Sequence, residues 1–142
     1  MTPAQVDAVV AEAREWLRTP YVHMGRLKGI GVDCGMLLIE VYGNALGIEK
    51  PNVGNYTSDW YMHRDEPLYL GWLGKYAERM PKGVAGEPGD IAVFNFGRHP
   101  AHGGIVVEPG LMIHAYKPHG NVELAEVRML DHRLDSYWRV TT

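Results

Sequence analysis

Apolar residues recur at three- and four-residue spacing in the first part of the chain, a pattern that predicts helices. Thr2 can cap a first, amphipathic helix that has Pro3 at its first position. Asp33 is a typical N-cap for a second helix, which is nearly all apolar and closes at Gly47. A third amphipathic segment follows a polar, turn-rich stretch. The predicted helices span residues 3–18, 34–46 and 66–80.

The second half of the chain is rich in β-forming residues, in short runs that glycine and proline turns separate. Helices therefore come first and an antiparallel sheet follows, which is the organisation of an α+β protein. No internal repeat, low-complexity tract or linker interrupts this order, so residues 1–142 are predicted to form a single domain. The predicted strands span residues 91–96, 104–107, 112–116, 122–127 and 137–140.

Composition and charge narrow the range of functions. With 142 residues, 46% of them hydrophobic, the chain can bury the core of one globular domain. A formal net charge of -3 gives no cationic field for avid nonspecific binding to nucleic acid. The N-terminus lacks a basic region followed by an apolar core, and no apolar run approaches membrane-spanning length. We therefore expect synthesis in the cytoplasm without a signal peptide, and no insertion into a membrane.

The chain has a single cysteine, Cys34, which excludes an internal disulfide. It is predicted to lie in the first turn of the second helix, where unpaired N–H groups and the helix dipole lower the pKa of a thiol. A nucleophilic thiolate is one interpretation of this position. The other is that Cys34 is a small buried hydrophobic residue, which is the more common fate of a free cysteine.

A cysteine nucleophile needs a base, and the base needs a partner that fixes its tautomer. His102 and His114 flank a predicted turn at Pro109, so a hairpin would place position 104 opposite position 114. His102 would then be the diagonal neighbour of His114 on the same face of the sheet. The alternative is that each is an ordinary strand histidine, and a register slip of one residue would separate them. Two other histidines are expected in loops: His99 and His119.

Five short segments follow one another in a characteristic order and spacing: Thr19-Pro20-Tyr21, Asp33-Cys34-Gly35, Pro88-Gly89-Asp90-Ile91-Ala92-Val93-Phe94, His102-Gly103-Gly104-Ile105-Val106-Val107 and Ile113-His114-Ala115. In these segments the chain resembles the NlpC-type cysteine peptidases, a papain-like family of cell-wall hydrolases. The resemblance implies an α+β fold in which N-terminal helices pack on a five- to six-stranded antiparallel sheet. It also implies that the catalytic cysteine stands at the N-terminus of a helix.

Transferred residue by residue, the resemblance makes Cys34 the nucleophile, His102 the general base and acid, and His114 the residue that orients His102. Tyr21 matches a tyrosine whose hydroxyl faces the active site and assists the oxyanion, although packing against the cysteine helix would explain it equally well. The chain departs from the family pattern in two places. Members of the family usually have a serine directly after the catalytic cysteine, and a Gly-Gly pair after the tyrosine. In those two places this chain has Gly35-Met36 and Met24-Gly25.

The resemblance implies hydrolysis of an amide bond in peptidoglycan stem peptides, between D-γ-glutamyl and a diamino acid such as meso-diaminopimelate. It implies no cofactor and no metal. A short chain without an export signal is most similar to the branch of the family found in phages and prophage-like gene clusters. Such a protein would act at the bacterial cell wall as part of a phage tail or tail-like particle, with other tail proteins as partners.

Three alternatives stay open at this point. The chain could be a non-catalytic tail-tip or assembly protein, or an amidase or acyltransferase on the same scaffold. Cys34 and two histidines could instead hold zinc, although the chain lacks the closely spaced ligand pairs that mark zinc sites. Aromatic residues before and within the third predicted helix could line a substrate groove or simply pack against the fold. These are Trp60, Tyr61, Tyr69 and Trp72.

Overall fold

Three α-helices and a larger set of β-strands are present in the computed structural model, which describes residues 1–50, 68–97 and 99–141, with the backbone alone of residues 68–70 and 99. The helices are α1 (Pro3–Glu15), α2 (Cys34–Leu46) and α3 (Leu68–Tyr76). The strands are β1 (Arg26–Leu27), β2 (Gly31–Val32), β3 (Ala77–Arg79), β4 (Ile91–Phe96), β5 (His99–Glu108), β6 (Leu111–Tyr116), β7 (Asn121–Glu126) and β8 (Leu134–Val140). Two 3-10 helices, Lys117–His119 and Val127–Arg133, join the last strands.

Helix α1 begins as the sequence predicts but ends earlier. Thr2 and Gln5 form a reciprocal capping box, in which each side chain accepts a hydrogen bond from the other residue's backbone N–H. The helix ends at Glu15 because the chain turns towards the sheet. Arg18 adopts a left-handed conformation with φ 73°, and its N–H donates to the carbonyl of Val122 over 2.8 Å.

Helix α2 has the predicted bounds. The Asp33 side chain accepts a hydrogen bond from the N–H of Met36 over 2.9 Å, which is the expected N-cap contact. Gly47 ends the helix in the left-handed region at φ 73°, and its N–H donates to the carbonyl of Gly43. The middle of α2 is buried on most sides, which explains why its sequence is almost continuously apolar.

The main sheet has six antiparallel strands in the order β3-β8-β4-β5-β6-β7, and β1 and β2 form a separate small hairpin. The α+β fold with five to six antiparallel strands is therefore confirmed. Strands β5 and β6 pair with Ile105 opposite Ile113, a register that continues to position 104 opposite position 114, as predicted. The expectation that His99 lies in a loop is wrong. Beyond an irregularity at Phe94 and Asn95, β4 resumes pairing with β5 and extends that strand back to His99.

The third predicted helix is too long at its C-terminal end. Helix α3 ends at Tyr76, and the chain continues as β3, which pairs with β8 from Ala77 opposite Val140 to Arg79 opposite Trp138. Pairing with the edge of the sheet gives these backbone groups hydrogen bonds that a helix extended to residue 80 would forgo. Residues 66 and 67, where the prediction began, lie outside the described part of the chain.

The central strands bury both of their faces. Apolar residues on one face pack beneath α1 and α2, and those on the other face form a second cluster with the 3-10 helix Val127–Arg133. At one end of β4, the buried carboxylate of Asp90 accepts two hydrogen bonds from the Arg139 guanidinium, at 2.9 and 2.8 Å, which ties β4 to β8. None of the described helices is both long and apolar enough to cross a membrane.

Candidate active site

The start of α2 holds the thiol against the sheet. Cys34 is the first residue of the helix, and the carboxylate of Asp33 fixes the chain on both sides of it by accepting from Met36 N–H at 2.9 Å and from Met24 N–H at 2.8 Å. The Cys34 side chain is partly exposed, and its sulfur lies 3.7 Å from the carbonyl oxygen of Ala101 in β5. The start of α2 therefore faces the first residues of β5, the strand that carries the candidate base His102.

The electrostatic setting of the thiol differs from the sequence-based expectation. Burial, followed by the negative charge of Asp33, raises the pKa of Cys34 to about 12, although a hydrogen bond with the Tyr21 hydroxyl and nearby backbone N–H groups oppose the rise. The expected lowering by the helix start is thus wrong for the resting protein, because desolvation outweighs the helix N–H groups. Cys34 is a neutral thiol at pH 7 and must give up its proton during attack.

The two candidate histidines meet. Nε2 of His102 lies 2.8 Å from Nδ1 of His114, and the two residues are only 3% and 2% exposed. Aromatic rings surround His102, with ring centroids at 5.9 Å for Phe94, 5.4 Å for Phe96 and 5.8 Å for Tyr116. The juxtaposition predicted from the hairpin is therefore present in the structure.

Both imidazoles are neutral at pH 7. Burial, and secondly the proximity of His114, hold the pKa of His102 well below its usual range. Burial also lowers the pKa of His114, and a hydrogen bond with Glu123 offsets only part of that effect. Because Nε2 of His102 is occupied by His114, Nδ1 is the ring nitrogen left to act as a base.

Sequence reasoning missed Glu123 in β7. Its Oε2 lies 3.1 Å from Nε2 of His114, and its Oε1 lies 2.8 Å from Nδ1 of His119 in the 3-10 helix that joins β6 to β7. His114 and Glu123 are direct cross-strand partners, so their side chains share one face of the sheet. The hairpin of β6 and β7 could have revealed this pair, because two predicted strands and a short turn fix the register.

Tyr21 stands beside the thiol. Its backbone bridges to Val32 and its N–H donates to the carbonyl of Gly120 over 2.8 Å, so the residue is held between β2 and the turn after β6. Its hydroxyl lies close enough to Cys34 for each group to influence the pKa of the other. Burial, and then the nearby Cys34 and Asp33, raise the pKa of Tyr21, so it keeps its proton and remains a hydrogen-bond donor.

Comparison with known proteins agrees with this arrangement. The sequence profile of the NlpC/P60 family matches residues 18–139, which include every candidate site residue named above. The chain belongs to the NlpC/P60 family. This confirms the resemblance to NlpC-type peptidoglycan hydrolases. No curated protein sequence gives a significant match.

Solved structures share the fold at low sequence identity. The NlpC/p60 domain of the peptidoglycan hydrolase SagA is 23% identical, with a TM-score of 0.62 over 96% of this chain and 98% of that one. NlpC2 from Trichomonas vaginalis is 20% identical, with a TM-score of 0.72 over 100% of this chain but only 49% of its own. This NlpC/P60 chain therefore spans about half of that protein. RipD from Mycobacterium tuberculosis, described as a non-catalytic NlpC/p60 domain protein, is 14% identical, with a TM-score of 0.63 over 99% and 100% of the two chains.

Of the aromatic candidates in this NlpC/P60 domain, the structure describes the side chain of Trp72. Trp72 is only 5% exposed and packs its ring 5.8 Å from that of Tyr42 on α2, so it belongs to the core and not to an open groove. Trp60, Tyr61 and the side chain of Tyr69 lie outside the described residues. Within the described ranges, no three His, Cys, Asp or Glu side chains are arranged to hold a metal ion.

Proposed function

We propose that this NlpC/P60 domain is a cysteine peptidase that hydrolyses an amide bond in peptidoglycan stem peptides. Cys34 is the nucleophile, His102 the general base and acid, and His114 the residue that orients His102. The observation that carries the proposal is the 2.8 Å contact between the buried imidazoles of His102 on β5 and His114 on β6. In β5 the carbonyl of Ala101, next to His102, lies 3.7 Å from the sulfur at the start of α2. A packing role alone would not require two imidazoles to meet next to the residue that contacts the thiol.

The protonation states favour attack by general-base catalysis. At pH 7 the thiol is protonated and His102 is neutral, so Nδ1 of His102 can accept the proton as the sulfur attacks the substrate carbonyl. The same proton then passes from His102 to the leaving amine, and a water molecule hydrolyses the thioester. Because the thiol hydrogen-bonds to Ala101 in the unliganded protein, the attack requires the sulfur to exchange this partner for the imidazole.

The oxyanion would be stabilised at the start of α2. The first N–H groups of a helix have no carbonyl partner within the helix and can donate to the developing negative charge. The Tyr21 hydroxyl, which lies near the thiol and keeps its proton, is a second donor in the same place. These groups would play the part that backbone amides and one side chain play in other acyl-transfer enzymes.

The bond we propose joins D-γ-glutamyl to a diamino acid such as meso-diaminopimelate. Its support is membership of the NlpC/P60 family, together with a similar structure that is described as a peptidoglycan hydrolase domain. Digestion of purified peptidoglycan, followed by mass spectrometry of the released fragments, identifies the bond directly. Fragments that end in D-glutamate, paired with new amino termini on the diamino acid, are the expected products.

The matched variants Cys34→Ala and Cys34→Ser test the nucleophile. Both retain the small volume of the side chain and should fold normally, while removing the nucleophile of an acyl-transfer enzyme lowers kcat by about 10⁴-fold or more. Wild type and variants are compared by fragment release and by thermal unfolding. Hydrolysis by Cys34→Ala at the parent rate would falsify the assignment.

A second candidate is a non-catalytic domain that binds peptidoglycan or serves as a structural component. It is favoured by the structural likeness to RipD, described as adapted to a peptidoglycan-binding function, and by the raised pKa of the Cys34 thiol. Co-sedimentation with insoluble peptidoglycan, without fragment release by wild type, is the result expected of such a domain.

Addition of an amine nucleophile distinguishes an acyltransferase, which forms an amine adduct, from a peptidase.

We also propose, on the strength of the family resemblance, that the domain acts at the bacterial cell wall as part of a phage tail or tail-like particle. Mass spectrometry of purified particles tests this association. The expected result is that the chain copurifies with tail proteins through density-gradient centrifugation. Its recovery only as free protein at the top of the gradient would contradict a place in the particle.

A further inference from the structure

Glu123 determines which nitrogen of His114 carries a proton. A carboxylate can only accept hydrogen bonds, so the 3.1 Å contact between Oε2 of Glu123 and Nε2 of His114 requires a proton on that nitrogen. Burial alone would raise the pKa of Glu123, but hydrogen bonds from His119 and His114 outweigh it and the net shift is downward. The carboxylate is therefore ionised at neutral pH.

The proton position is passed on to His102. A neutral His114 that carries its proton on Nε2 has a free lone pair on Nδ1. The 2.8 Å contact between this Nδ1 and Nε2 of His102 then requires His102 to be the donor. A neutral His102 with its proton on Nε2 has its lone pair on Nδ1, the nitrogen that must receive the proton of the thiol.

We propose that Glu123 is a positioning residue of the active site, which acts through His114 to set the tautomers of both imidazoles and so presents Nδ1 of His102 as the base. The inference rests on the proposed function for its catalytic consequence, and the tautomers themselves can be measured without any substrate. The carboxylate of Glu123 is hydrogen-bonded to His114 and His119 and not to the thiol. Its effect travels through two hydrogen bonds.

Neighbouring groups hold this relay, the hydrogen-bonded series from Glu123 through His114 to His102, in one geometry. The second carboxylate oxygen of Glu123 accepts a hydrogen bond from His119 at 2.8 Å, which stops the carboxylate from rotating away. The Tyr116 ring stacks on His114 with centroids 4.9 Å apart and an angle of 13° between the planes. The His114 ring cannot flip without breaking both the stack and the two hydrogen bonds of its nitrogens.

The relay also matches the charge that develops in the reaction. When His102 takes the thiol proton it becomes an imidazolium, still donating from Nε2 to His114. The negative charge of Glu123, one residue further along the relay, favours this cation. Loss of the carboxylate should therefore lower kcat more than it changes KM, because Glu123 acts on the base through His114.

The test compares Glu123→Gln with Glu123→Leu, with Glu126→Leu as the matched control on the same strand. The Gln side chain still offers an oxygen to His114, so both tautomers should persist, with a loss in kcat of about tenfold or less. The Leu side chain offers none, so His114 should populate the other tautomer and kcat should fall about 10- to 100-fold, the range for outer-shell groups that orient a metal-bound histidine. Glu126, an exposed residue paired with Arg128, should show neither effect.

Two-dimensional NMR correlation of the imidazole nitrogens with the ring protons reports the tautomers of His102 and His114 in the unliganded protein. If both rings keep the Nε2 proton in Glu123→Leu, the inference is overturned. It is equally overturned if kcat of an active wild type falls no further in Glu123→Leu than in Glu126→Leu. If wild type shows no hydrolysis but the tautomers shift as described, the positioning role stands and the proposed function fails.

Discussion

The two faces of the central strands differ in chemistry although their residues alternate along the same chain. On the face beneath α1 and α2, side chains such as Ile105 and Ile113 are buried in the larger apolar cluster, and Cys34 at the start of α2 packs against its edge. On the opposite face, the residues at the same end of the sheet include His102 and His114, set among aromatic rings. Successive residues of one strand thus serve the core and the candidate active site in turn.

This division explains how the imidazoles reach hydrogen-bond distance. Burial of Ile105 and Ile113 beneath α2 selects a register in which they are opposite each other, because a one-residue slip of either strand would turn its isoleucine towards the other face. The same register brings His102 and His114 to 2.8 Å on the far side. Packing energy on one face therefore secures the geometry of polar groups on the other, where the hydrogen bonds alone would be too weak to define it.

The largest expected contrast is between two adjacent residues of β5, His102 and Gly103. His102→Gln removes the base and should lower kcat/KM by about 10⁴-fold with little change in stability. Gly103→Val should leave the chemistry of the folded molecules intact but destabilise them, because a Cβ at this position would lie 2.8 Å from Cδ1 of Leu38 on α2. Hydrolysis rates normalised to folded protein, together with urea unfolding, separate the two outcomes.

Gly103→Ala is the control for size, since it adds the Cβ alone and should destabilise less than valine. A kcat/KM that falls as far in folded Gly103→Val as in His102→Gln would contradict the separation of the two faces. Retention of hydrolysis by His102→Gln would contradict the assignment of the base.

Local sequence signals were sufficient to predict those features whose structure depends on neighbouring residues or on the alternation of side chains along a strand. The bounds of α2 follow from a capping aspartate and a closing glycine, and both contacts are present at Asp33 and Gly47. The contact between His102 and His114 follows from the register of one hairpin and from the alternation of its side chains between the two faces of the sheet. The papain-like fold followed from the order of the motifs and not from any single one of them.

Other features depend on contacts between distant parts of the chain and could not be read locally. The strand Ala77–Arg79 forms because the edge of β8 is available to it, which no helical propensity reveals. The pKa of Cys34 depends on how deeply Tyr21 and the sheet bury the helix start, so the helix dipole alone predicted the wrong direction. Glu123 is an exception, because the β6–β7 hairpin pairs it directly with His114 and the register of that hairpin was within reach of sequence reasoning.

A smaller effect on hydrolysis is expected from Ile113→Ala, which tests the role of the apolar face. Ile113 is fully buried beneath the helices, so the substitution should lower the free energy of unfolding by about 2 to 4 kcal/mol. In the molecules that remain folded, kcat should change by less than about threefold as long as the register is kept. Urea unfolding and hydrolysis at a temperature well below the transition measure the two quantities.

Ile113→Val is the matched control, with an expected loss of about 1 kcal/mol and no change in kcat. If the alanine variant instead loses the contact between His102 and His114, the NMR signals of the two rings will shift even under fully native conditions. That result would mean that the two faces are coupled more tightly than a shared register requires.

The smallest expected effect is on stability at acid pH, to which the two faces of the strands should contribute differently. The pKa values of His102 and His114 are lowered by burial, so below about pH 6.5 the unfolded chain binds protons that the folded protein does not. Stability is therefore complete above pH 6.5 and declines as the pH falls, with a slope of up to about 1.4 kcal/mol per pH unit for each group. Urea unfolding between pH 7.5 and pH 5.5 measures this slope, in a range of pH where Glu123 remains ionised.

A double variant, His102→Gln with His114→Gln, should lose most of this slope, whereas Ile113→Ala should keep it and only shift the whole curve downward. The reason is that the apolar face contributes burial without titration, while the opposite face buries groups that can bind protons. Equal slopes for wild type and the double variant would show that other groups govern the acid response. In that case the buried imidazoles would bind protons about as readily in the folded protein as in the unfolded chain.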